Sequence, residues 1–141
     1  MRRRALLGLA ATGALSGCLG LANRNDLSCE GGDCDIGMTS TAFQPETYEA
    51  TVGDTVVWGN TSSRGHTVTA KEGLIPAGAD YFASGGYASQ SEAVDAWFDD
   101  FGGRIDGNET YAVTFEVPGT YEYYCIPHEA SGMDGVIVVS E

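Results

Sequence analysis

Three side chains in the stretch Cys125 to Met133 could hold a metal together. They are the thiol of Cys125, the imidazole of His128 and the thioether of Met133, in the pattern Cys-x2-His-x4-Met. A thiolate and an imidazole nitrogen suit copper or zinc, whereas a thioether is a soft donor that zinc seldom uses and copper accepts. The chain has two histidines, so His66 is the other imidazole. Two imidazoles, one thiolate and a weakly held thioether form a recurrent one-electron copper arrangement. Taken alone, each of these residues is more often structural: a hydrogen-bonded histidine, a buried cysteine or a core methionine. Their order within one loop, with a single further histidine available, favours His66, Cys125, His128 and Met133 as one copper site.

The elements that must position them are mostly short strands. Thr47–Val52 and Thr55–Trp58 flank Gly53-Asp54, a dipeptide that predicts a hairpin. His66–Ala70, Thr110–Val117, Thr120–Tyr124 and Gly135–Val139 read as further strands, broken by Pro118-Gly119 and other turn residues. Such punctuation predicts a sandwich or barrel. Alternation along Thr120–Tyr124 points Tyr121, Tyr123 and Cys125 inward and Glu122 and Tyr124 toward water. One segment differs: Ser89 and Glu92 form a capping box, and Val94, Trp97, Phe98 and Phe101 follow at helical spacing. A short helix near residues 90–101, stopped by Gly102-Gly103, is expected to pack on the sandwich. Residues 73–86 read as an irregular excursion.

The N-terminal segment reads as an export signal. Arg2-Arg3-Arg4 precedes an apolar run, Ala5–Leu15, too short for a membrane-spanning helix, which needs about 20 residues. Leu15-Ser16-Gly17-Cys18 resembles a lipobox, and Arg3-Arg4-Ala5-Leu6-Leu7 a twin-arginine motif. The expected organisation is a signal peptide at 1–17, a lipid on Cys18 at the outer membrane face, a flexible tether at 18–35 and one domain at 36–141. A plain signal peptide with an incidental cysteine is the competing reading. Cys29 and Cys34 remain; export favours a local disulfide between them over a second metal site, since no histidine is near.

The formal net charge is −13, and three of the seven basic residues lie in the export segment. That surface excludes nucleic acid as a partner. It fits adaptation to very salty water or the docking of a basic partner. Asn60-Thr61-Ser62 and Asn108-Glu109-Thr110 match the glycosylation pattern, a weak signal.

Gly119–Val139, "GTYEYYCIPHEASGMDGVIVV", resembles the copper-binding loop and flanking strands of plastocyanin-like cupredoxins. Cys34–Ala70, including "TVGDTVVWGNTSSRGHTVTA", resembles the first half of the same family. Together with the export signal and the acidity, the likeness is nearest to the halocyanins of salt-loving microbes. The resemblance implies an all-β Greek-key cupredoxin sandwich binding one copper ion. His66, Cys125 and His128 would be equatorial ligands and Met133 axial. Thr67 stands where plastocyanins often carry Asn. It further implies a carrier of single electrons, not an enzyme, serving membrane-bound or soluble redox proteins of a respiratory chain. A monomer is expected. A backbone N–H near Thr67 is expected to reach the Cys125 sulfur, and His128 amid Ile126, Pro127 and Ala130 to form the electron port. Multicopper enzymes need more histidines than two. A copper-trafficking or other metal-binding lipoprotein on the same fold, and a metal-free adhesion module, are the alternatives.

Overall fold

The computed structural model describes residues 26–141. Eight strands carry the domain: β1 (Ile36–Met38), β2 (Phe43–Gln44), β3 (Thr47–Thr51), β4 (Thr55–Asn60), β5 (Thr69–Ala70), β6 (Thr110–Thr114), β7 (Gly119–Tyr124) and β8 (Asp134–Ser140). A single helix, α1 (Gln90–Asp100), lies between β5 and β6. The strands form two four-stranded sheets, ordered β2-β1-β4-β6 and β3-β8-β7-β5. Between them lies a core dense in aromatic rings. Trp58 is wholly buried and meets Tyr123 edge-on at 5.3 Å, while Phe82 meets Phe115 edge-on at 5.5 Å. Such pairs stabilise beyond the area they bury, by about 0.5–1.5 kcal/mol each.

Gly53-Asp54 makes a turn but not the predicted hairpin. β3 runs parallel to β8, with Thr47 opposite Val136, whereas β4 pairs with β1 and β6 in the other sheet. The chain crosses between sheets here, with Gly53 at φ 94° donating its N–H to the Phe115 carbonyl. The physical reason is the core. Ala50 of β3 and Val56 and Trp58 of β4 are buried in the same cluster, and opposite sheets let both strands face it.

The helix forms where the capping box predicts. Ser89 Oγ accepts from Glu92 N at 3.2 Å, and Phe101 closes the helix in the left-handed region, one residue before the glycines. The buried stripe, however, is Ala93 and Trp97. Phe98 is 75% exposed and Phe101 57%. Trp97 sits in a second cluster with Ala83, Tyr124 and Ile126. Tyr124 does point away from the main core, as alternation predicts, yet it is buried because α1 covers that face. Gln90 Nε2 donates to its hydroxyl at 3.2 Å.

Residues 27–35, expected as the end of a tether, are docked on the sandwich. Leu27 N donates to Asn108 Oδ1 at 3.0 Å, and Asp35 pairs with Val57 through both its N–H and its carboxylate. Cys29 and Cys34 are joined in a disulfide. Gly59 makes room for this loop: a Cβ there would stand 2.5 Å from the Cys34 sulfur. The export segment 1–17 and Cys18 lie outside the described residues. Among those described, no helix is long and apolar enough to cross a membrane.

Candidate metal centre

β7 and β8 deliver the ligand loop. β7 ends at Tyr124, and the next residue, Cys125, is completely buried. Its N–H donates to the Met133 carbonyl at 3.0 Å, closing the loop at its base. Inside, Ile126–Ser131 form a 3-10 turn that begins with Pro127 near its N-terminus, where a missing N–H costs nothing. Gly132, at φ 78°, ends the turn with its N–H on the Glu129 carbonyl. Met133 N donates to the His128 carbonyl at 3.3 Å, and Met133 is 1% exposed.

His66 arrives from the other half of the chain. It lies before β5 in a two-way bridge with Ile105: His66 N to Ile105 O is 3.1 Å, and Ile105 N to His66 O is 2.7 Å. The strand predicted over His66–Ala70 is thus confined to Thr69–Ala70 plus this bridge. His66 is fully buried, and its Nδ1 lies 3.5 Å from Cys125 Sγ. His128, half-buried, also places Nδ1 3.5 Å from that sulfur. The three ligand atoms lie within 4.8 Å of one another. Metal–nitrogen and metal–sulfur bonds of about 2.0–2.3 Å at near-tetrahedral to trigonal angles span donor separations of roughly 3.5 Å, so the triangle fits one ion.

Thr67 joins the two halves. Its N–H points at Cys125 Sγ at 3.4 Å, as the sequence led us to expect, and its Oγ1 accepts from Ile126 N at 2.9 Å. Thr69 Oγ1 donates to Thr67 Oγ1 at 3.1 Å, which orders that hydroxyl. Burial raises the Cys125 thiol above its ordinary range, against which the N–H groups of Thr67 and His128 favour the thiolate. The His66 imidazole is lowered to about 4, first by burial and next by the facing His128 ring; the Thr39 carbonyl acts the other way. His128 is lowered too, by burial and then by Arg64. Both imidazoles are therefore neutral near pH 7 and ready to ligate.

Some residues at the site escaped the sequence reading. Ser62 Oγ lies 3.1 Å from His66 Nε2. Asn60, which opens a weak match to the glycosylation pattern, is completely buried with its amide engaged. Ile126, placed at the exposed edge by the sequence, is 8% exposed and packs in the Trp97 cluster. No sequence signal marks Ser62; for Thr67, its place directly after His66 was the available hint.

A model of copper-binding proteins of the plastocyanin/azurin family matches residues 32–140. The chain belongs to that family. Within the plastocyanin/azurin family, plastocyanin of Lactuca sativa is 35% identical over 109 residues, covering 77% of this chain and 95% of its own. Chloroplastic plastocyanin of Physcomitrium patens is 31% identical over 135 residues, covering 95% and 70%. Among solved structures, an amicyanin variant in its reduced Cu(I) form superposes with a TM-score of 0.53 at 26% identity, covering 74% and 79%. The expected cupredoxin sandwich with one short helix is the fold found, and His66, Cys125 and His128 are positioned as its copper site.

Proposed function

We propose that the protein is a one-electron carrier with a mononuclear type 1 copper site, exported and lipid-anchored through Cys18, of the halocyanin kind. The observation that carries this reading is the buried triangle of Cys125 Sγ with His66 Nδ1 and His128 Nδ1. Copper bound there supplies a couple between Cu(I) and Cu(II). Met133, buried at the base of the same loop, would supply the fourth, weak thioether donor.

The chain's own residues keep that cage nearly fixed. Thr67 ties the His66 segment to the Cys125 loop, and the Cys125–Met133 backbone bond closes that loop. Little then has to move when an electron arrives. Half-buried His128, with Pro127 and exposed Ala130 beside it, gives the electron a route to the surface. A trafficking role on the same fold requires ready metal release, which a fully buried, cross-tied pair such as His66 and Cys125 opposes. With two histidines in the chain, the donors for a further copper cluster are lacking. The partners are redox proteins of a respiratory chain at the outer membrane face, the setting that the signal, Cys18 and the acidic surface support.

The test joins metal analysis, a visible spectrum and voltammetry on purified protein. One copper per chain, intense blue colour and reversible one-electron redox are expected, and Cys125→Ser should abolish the colour. Equal blueness after that substitution would sink the reading. For the anchor, Cys18→Ala should release the protein from the membrane fraction into the medium.

A further inference from the structure

The hydrogen bonds behind His66 have a fixed direction. Asn60 Nδ2 lies 2.6 Å from the Arg64 carbonyl and 2.9 Å from the Ile105 carbonyl. Carbonyls accept only, so these two bonds settle which way round the buried amide sits. Asn60 Oδ1 must therefore face Ser62, where it lies 2.9 Å from Ser62 N and 2.8 Å from Ser62 Oγ. An amide oxygen cannot donate, so the single hydroxyl proton of Ser62 points at Asn60. Of the other two acceptors in reach, Arg64 O is farther at 3.4 Å and already takes the Asn60 bond, and His66 Nε2 at 3.1 Å is farther than Asn60 Oδ1 at 2.8 Å. With its proton committed, Ser62 Oγ can only accept, from Arg64 N at 3.2 Å and from His66 Nε2 at 3.1 Å. The ring proton of neutral His66 then sits on Nε2, and Nδ1 is left bare beside Cys125 Sγ.

We propose that Asn60 and Ser62 act as a tautomer lock, positioning residues that hold His66 with Nδ1 unprotonated and aimed at the metal position before metal arrives. The information comes from two backbone carbonyls and is passed on through two side chains. The lock works against a specific competitor. In the metal-free protein a proton on Nδ1 would face the Cys125 sulfur, the other acceptor within 3.5 Å of that ring. Without Ser62, an Nε2 proton on a wholly buried ring loses that hydroxyl and has only the Thr39 carbonyl to turn to, at a cost of up to about 1–3 kcal/mol, and the Nδ1 tautomer becomes competitive. Metal uptake must then first move that proton. Removing such an outer partner of a ligating histidine typically weakens metal binding 10–100-fold.

The inference rests on His66 being a ligand, and its first readout needs no copper. Long-range 15N–1H spectra of the full-length protein, reduced and metal-free, report which ring nitrogen carries the proton. Wild type and Ser62→Thr should show Nε2–H, and Ser62→Ala should populate Nδ1–H. Chelator competition should show Cu(I) binding weakened about 10–100-fold by Ser62→Ala and restored by Ser62→Thr. An Nδ1–H wild type overturns the lock. So does a Ser62→Ala protein that keeps Nε2–H, whatever its affinity, since the Thr39 carbonyl or packing would then suffice. A shifted tautomer with unchanged affinity overturns the role in metal uptake. Loss of the electron-carrier reading would show instead as missing reversible redox in a protein with the wild-type tautomer.

Discussion

The Thr67 amide lies 3.4 Å from the Cys125 sulfur, and the Thr67 hydroxyl accepts from the amide of Ile126, the residue after that cysteine, at 2.9 Å. One residue thus holds the sulfur and the backbone that carries it. Thr67→Val keeps the shape and removes the acceptor, leaving the Ile126 N–H buried without a partner. A loss of about 1–3 kcal/mol is expected, largely restored by Thr67→Ser. Denaturant titrations of the three proteins give the comparison; equal midpoints for Thr67→Val and wild type would contradict the clamp.

The imidazoles make the metal-free protein sensitive to acid. His66 falls from an ordinary 6.5 to about 4 on folding, chiefly through burial, and His128 is lowered in the same direction. The unfolded chain therefore binds protons more readily than the folded one in this window. Stability should be complete above about pH 6.5, decline as the pH drops toward 4, and lose nothing further from His66 below that. Denaturation midpoints measured across pH 7 to 4 test this, and a flat profile would refute it.

Met133→Leu is a volume-conserving change at a buried position and should cost less than about 1.5 kcal/mol. As the proposed fourth donor, the Met133 thioether would stabilise the oxidised ion more than the reduced one, and the substitution would remove that preference. Voltammetry should show a higher reduction potential with the blue colour kept. An unchanged potential would remove Met133 from the ligand set.

On α1, two neighbouring aromatics should behave in opposite ways. Trp97 is buried against Tyr124 and Ile126, whereas Phe98 is 75% exposed. Trp97→Ala is expected to cost about 3–5 kcal/mol. Phe98→Ala should stay within about 0.5 kcal/mol. Thermal and chemical denaturation of both variants decide it; similar losses would mean that the packing of α1 is misassigned.

The site was legible because its residues are scarce: two histidines and a cysteine–histidine–methionine loop leave few ways to assemble a donor set. The helix was legible because Ser89 and Glu92 cap it locally. What stayed hidden was non-local. Gly53-Asp54 announces a turn, but turn chemistry does not say which sheet receives the next strand. Alternation placed Tyr124 on the outer face correctly, yet period two cannot reveal that α1 covers that face. Asn60-Thr61-Ser62 matched a surface modification pattern because a three-residue motif carries no information on burial. Ser62 and Thr67 act through hydrogen bonds to residues four or 59 positions away, which no local pattern encodes.

Leu27 is fastened to Asn108, and Asn108 N in turn donates to the carbonyl of Asn60, behind the copper ligand His66. The polypeptide thus enters the domain beside the end of β4 that leads into the His66 segment. An acyl chain on Cys18 would leave at most about 30 Å of backbone between bilayer and that end of the domain. So short a leash would keep the redox end near the lipid headgroups, within reach of membrane-embedded donors and acceptors, and would limit how far the molecule can roam or tumble.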